Sequence, residues 1–145
     1  MHRIILLFLA ALAMSTSVTV AEEIWHLEIN DALDVAKQLK RPVVISIEEK
    51  GCIFCETMRE TWTDSKLEAS IRNNFVALRL DKEKHASMVS KLKLKRFPAT
   101  IVYSKQGKLV EKKEGVMFAG QCRQWMTKLE EKLNIISTDA LVKTK

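Results

Sequence analysis

Two cysteines, in Cys52-Ile53-Phe54-Cys55, stand where a short β-branched run gives way to a helical pattern, and no other feature restricts the chain so tightly. Val43-Val44-Ile45-Ser46-Ile47 before them has the composition of a buried strand. Residues 52–63 after them put Cys55, Met58 and Trp62 on one face of a helix. A helix that begins at the first cysteine aims free N–H groups and the positive end of its dipole at that sulfur. Cysteines at i and i+3 on a helix start can also close a disulfide with little backbone movement. The chain has only three cysteines in 145 residues, too few for a disulfide framework, so the pair points to reactivity more than to stapling.

Strand and helix patterns alternate along the rest of the sequence. Asn30-Asp31 can cap a helix through Lys40, with Ala32, Val35, Ala36 and Leu39 on its apolar face, and Arg41-Pro42 stops it. Asp64 or Ser65 caps a short helix to about Asn73, and Phe75 to Leu80 reads as a second strand. Lys84 to Leu94 is a basic helical connection. Phe97-Pro98 opens a third strand, Ala99 to Tyr103, as suits a residue that cannot donate a ladder hydrogen bond. After Ser104-Lys105-Gln106-Gly107, Lys108 to Lys113 returns as a hairpin strand. The last helix, from about Phe118 to Leu133, carries a stripe of Cys122, Trp125, Met126, Leu129 and Leu133. The order α-β-α-β-α-β-β-α, with two long crossovers, predicts parallel pairing plus an antiparallel edge from the hairpin. The expected fold is α/β, a mixed sheet of four or five strands flanked by helices, in one domain over residues 22–145 with a frayed tail at 134–145.

Residues 1–21 have the layout of a secretory signal peptide. Met1-His2-Arg3 is a basic start, Ile4 to Ala13 is a run of ten apolar residues, and Thr19-Val20-Ala21 is the expected cleavage site. An uncleaved anchor is the alternative, since Ile4–Ala21 holds eighteen residues without a charge. Cleavage takes one Arg and no acid from the +6 chain, leaving 124 residues and +5. Export, to a periplasm or beyond the cell, puts the cysteines where disulfides form and persist. The ordinary mix of 47% hydrophobic and 29% charged residues excludes a fibrous or largely disordered chain. The charge gives no sign of nucleic-acid binding, because no recognition motif accompanies it.

The cysteine pair has several chemical readings. As a redox couple, Cys52 is the exposed attacker with the lower pKa, and Cys55, one turn into the apolar face, is the resolving thiol. A zinc site would need four ligands at paired spacing, and Cys122, His26 and His85 stand singly and far away. Covalent haem would need His after the second cysteine, where Glu56 stands. A purely structural disulfide would constrain little of the unfolded chain, because its loop is so small. Cys122, on the last helix's stripe, reads as a buried inert thiol.

Taken together, the exported leader, the strand, the CxxC at a helix start, the Pro98-led strand, the hairpin with Gly107, the loop with Gly115 and the final helix resemble the thioredoxin superfamily over residues 30–134. Residues 43–62 resemble its periplasmic thiol-disulfide interchange proteins. The resemblance implies Cys52 as nucleophile and Cys55 as resolver. It also implies a cis Pro98 packed opposite them, Phe97 presenting its backbone to substrate, Ile53 and Phe54 tuning the redox potential, and no cofactor or metal. It implies protein substrates bearing thiols or disulfides, electrons from a membrane-bound donor, and a mature chain that is not itself embedded in the membrane.

Some residues depart from the family pattern. Gly51 replaces the Trp that usually precedes the first cysteine, Ser46 stands at the buried acid's place, and its Lys partner falls near Ala77. Glu48, Glu49 and Glu56 could substitute for that acid, although each reads first as a solvated carboxylate. The Ile53-Phe54 pair offers the thiolate no positive charge, which leans the reading toward reductase. The basic run Lys91 to Arg96 adjoins Pro98 and could steer acidic partners. The rival class is a non-catalytic binding module of the same fold: a chaperone, adaptor or copper-binding protein.

Overall fold

The computed structural model describes residues 23–134; the leader and the tail beyond Asn134 lie outside the described residues. The elements are β1 (Trp25–His26), α1 (Ile29–Leu39), β2 (Val43–Glu48), α2 (Ile53–Trp62), α3 (Ser65–Asn74), β3 (Val76–Asp81), α4 (Ala86–Lys91), β4 (Ala99–Tyr103), β5 (Leu109–Glu114) and α5 (Ala119–Lys132). They build one five-stranded mixed sheet in the order β1-β3-β2-β4-β5.

β2 is the central strand and is buried along its whole length. Both of its faces are covered by helices, which explains why its sequence is continuously apolar instead of alternating. Side chains alternate across the sheet, so β2 feeds two cores. Val44 joins Met58, Trp62, Leu67, Ile71, Val102, Cys122 and Met126 beneath α2, α3 and α5. Val43, Ile45 and Ile47 join Ala32, Ala36, Leu78 and Ile101 beneath α1. Ser46 and Glu48 share Val44's parity, so they point toward α2.

The structure corrects the expected pairing at one crossover. β2 and β3 are parallel, from Val43↔Val76 to Glu48↔Asp81, but β4 runs antiparallel to β2, from Val43↔Tyr103 to Ile47↔Ala99. The connection from β3 to β4 is the reason. Its α4 helix has six residues, not the eleven from Lys84 to Leu94, and covers about 9 Å, whereas β3 covers roughly 20 Å. The chain therefore stays at the cysteine end, and β4 must run back down the sheet.

Two smaller differences concern the first residues and the helix caps. β1 was not anticipated: Trp25 and His26 pair in parallel with Ala77 and Leu78. A two-residue edge strand is too short to leave a periodic signal. The first helix is capped at Glu28, not Asn30-Asp31, and Leu39 at its end is exposed. Asp64 does cap α3, its Oδ1 accepting the N–H groups of Lys66 and Leu67.

Candidate active site

The turn from β2 into α2 sets the geometry of the cysteine pair. Glu49 C=O accepts the N–H of Cys52 at 3.3 Å, and Gly51 inside that turn has a φ of 73°. That left-handed conformation is easy for glycine and strained for the tryptophan of the family pattern. Cys52 is the N-cap of α2, and its Sγ accepts the N–H of Cys55 at 3.2 Å. Cys52 is half-buried, whereas Cys55 is 1% exposed. Cys55 Sγ accepts the Glu49 N–H at 3.5 Å. Both sulfurs are thus held by backbone amides from the same turn, one at the surface and one behind it.

Phe97 and Pro98 approach from the other side. The Phe97–Pro98 peptide bond is cis, and the Phe97 carbonyl lies 3.9 Å from Cys52 Sγ. Pro98 is buried, and its carbonyl accepts the Gly115 N–H at 2.8 Å. The loop ahead of it hangs on Glu114, whose Oε2 accepts the N–H groups of Lys95 and Arg96, each at 2.9 Å. Those two hydrogen bonds hold the Glu114 carboxyl below its ordinary range. In the run from Lys91 to Arg96 the charged side chains are exposed, while Leu94 is buried and Leu92 half-buried.

Ile53 and Phe54 are 70% and 58% exposed and form an apolar surface next to Cys52 in the chain. Lys82 Nζ sits 5.1 Å from the Phe97 ring centroid and pairs with Glu49.

Glu48 corrects its own reading as a solvated carboxylate. It is 4% exposed. Arg59 Nε donates to its Oε2 at 2.6 Å, Ser46 Oγ donates to its Oε1 at 3.2 Å, and Arg79 Nε stands 3.2 Å from Oε1 as an ion pair. The register explains the cation: Ser46 lies opposite Arg79 on β3, and Ala77 lies opposite Val44. A buried carboxylate and its cation are thus paired two residues further along these strands than in the family pattern. Arg79 also lies 4.9 Å above the Trp25 ring, and Trp25 packs against Trp62 with ring centroids 5.4 Å apart. A cavity of about 370 Å³ beside the pair is lined by Glu48, Glu49, Arg59, Arg79 and His85 together with Leu27 and Leu80. Glu49 is half-buried and Glu56 exposed.

The Cys55 thiol is pushed up to about 12, chiefly by burial, then by its hydrogen bond with Cys52, with the Glu48 charge adding to it. Cys122, beneath α5, is also pushed up to about 12 by burial. Among the described residues no three metal-ligating side chains come together, and no helix is long and apolar enough to cross a membrane.

The fold has known counterparts. The chain is similar in structure to a thioredoxin from Thermus thermophilus, with a TM-score of 0.67 at 16% identity over 75% of this chain and 88% of the other. It is similar to the DsbH oxidoreductase, with a TM-score of 0.62 at 15% identity over 85% and 94% of the two chains. It is also similar to a disulphide isomerase from Xylella fastidiosa Temecula1, with a TM-score of 0.59 at 17% identity over 70% and 87%. No curated protein matches the chain significantly. The family model of the thioredoxin-like domain matches residues 29–130, from the start of α1 into α5 and across both cysteines, and the chain therefore belongs to the thioredoxin-like domain family.

Proposed function

We propose that the protein is an exported thiol-disulfide oxidoreductase that exchanges disulfides with protein substrates through Cys52 and Cys55. One observation carries this reading. The two sulfurs sit at one helix start with unequal accessibility, Cys52 half-buried beside Phe97 and Cys55 fully buried behind it. A thiolate on Cys52 is met by the Cys55 N–H and the positive end of α2. Its attack on a substrate disulfide forms a Cys52 mixed disulfide and releases one substrate thiolate. Cys55 then gives up its proton and attacks the Cys52 sulfur, releasing the second substrate thiol. The product is a Cys52–Cys55 disulfide, and the substrate has gained two electrons.

Phe97 and Pro98 line the approach to Cys52, and Ile53 and Phe54 form the apolar surface that a substrate polypeptide meets. The absence of a positive charge between the cysteines favours reduction as the working direction, with a membrane-bound dithiol partner restoring the pair. The test is mixed-disulfide trapping. Cys52→Ala abolishes exchange with a disulfide-bonded protein, and Cys55→Ala accumulates a mixed disulfide at Cys52. Undiminished exchange by Cys52→Ala would overturn the proposal.

A further inference from the structure

The far end of the sheet from the cysteines is cationic. β2 runs from Val43 up to Glu48, and its six residues put roughly 20 Å between the two ends. At the Val43 end lie the end of α1, the β4–β5 turn and the last turn of α5, and between them a cleft of about 870 Å³. Lys40, Arg41, Lys105, Lys108 and Lys132 line it, with neutral amides and a hydroxyl between them and no carboxylate. Lys132 is engaged by Glu111 at 3.1 Å, while Lys40, Lys105 and Lys108 are exposed. Arg41 and Lys105 are shared with a second groove of about 460 Å³ between α1 and the sheet, walled mostly by aliphatic side chains, among them Ile29, Leu33, Ile45 and Met88. Leu33, Leu39 and Leu109, all on elements bordering these two grooves, are exposed. Cations set beside an open apolar groove match an amphiphile with an anionic head.

The first and last described residues border this face as well. Ile24 shares a cavity with Leu39 and Arg41, and Asn134 lines the cationic cleft.

We propose that this end of the protein docks on an anionic lipid membrane, with lipid phosphates among Lys40, Lys105 and Lys108 and aliphatic lipid in the adjoining groove. Docked so, the protein holds Cys52 and Cys55 on the side facing away from the bilayer, open to large substrates. Each cation near an anionic surface contributes about fivefold in partition.

The test is sedimentation of the full-length chain with vesicles of phosphatidylcholine alone and with about 30% phosphatidylglycerol added, over a salt series. The phosphatidylcholine arm measures whatever the apolar leader contributes by itself. The expected result is stronger binding to the anionic vesicles, lost at high salt, and reduced roughly 30-fold in Lys105→Gln/Lys108→Gln. Both lysines are exposed beside the β4–β5 turn, so disulfide exchange by that variant stays at the unsubstituted level. Equal binding to both vesicles, or anionic binding unchanged in the double variant, would overturn the proposal. So would variant-sensitive capture on a soluble polyanion such as heparin with no vesicle binding. If the double variant misfolds, Lys40→Gln is read in its place: anionic binding roughly fivefold weaker is expected, and unchanged binding would overturn the proposal.

Discussion

Cys55 and Glu48 share the space beneath the first turn of α2, and the carboxylate opposes ionisation of the thiol. Glu48→Gln removes that opposition, so the Cys55 pKa falls from about 12. The pH profile of Cys55 alkylation, compared between Cys52→Ser and Cys52→Ser/Glu48→Gln, reads the direction of this shift. The same substitution leaves Arg79 and Arg59 without their counter-charge, and the fold loses about 3 kcal/mol, at the low end for a broken buried pair because Arg59 is half-exposed. Urea unfolding measures this loss. Glu48 also shows where residue-by-residue reading ran out. A glutamate near a strand end is usually solvated, and only the β2–β3 register, which sets Arg79 opposite Ser46, shows that this one is buried and paired. The cysteines were legible because a CxxC at a strand-to-helix junction constrains its own geometry, whereas the Glu48 pair depends on residues 31 positions apart in the chain.

The segment from Leu92 to Pro98 depends on a similar distant contact. Glu114, on β5, accepts two backbone N–H groups from it and so holds Phe97 beside Cys52. Glu114→Ala frees those amides, and hydrogen exchange at Lys95 and Arg96 accelerates while exchange in β2 stays slow. Acid has the same effect. The folded carboxyl has a lowered pKa, so its contribution is present above the ordinary carboxylate range and disappears as pH falls through the folded value. Loss of protection at these two amides, measured against their intrinsic exchange rates as pH falls below the ordinary carboxylate range, checks the sign. The helices and long strands were legible from period and caps, as in β4, read and found at Ala99–Tyr103. The direction of β4 was not. It follows from α4 being too short to carry the chain back along β3, and the basic residues around α4 give no stop signal that would reveal this.

The two buried thiols make the fold sensitive to alkali. Cys55 and Cys122 are both raised from the ordinary 9.0 to about 12. Between those values the native state keeps protons that the unfolded chain has lost, so stability is full below about pH 9 and falls as pH rises toward 12. Urea midpoints measured from about pH 8 to 11 decline, and they decline less steeply in Cys122→Ala, which starts from a lower midpoint because it leaves a small cavity. The sheet thus separates two ends with different work: a thiol pair held by backbone amides at one, a cationic cleft at the other. The most direct test of the redox assignment is an equilibrium titration of the full-length chain against glutathione, with thiols counted residue by residue. The expected result is a single two-electron transition confined to Cys52 and Cys55, near the thioredoxin range on the order of −270 mV, with Cys122 reduced throughout. Failure of any Cys52–Cys55 disulfide to form across that range would contradict it.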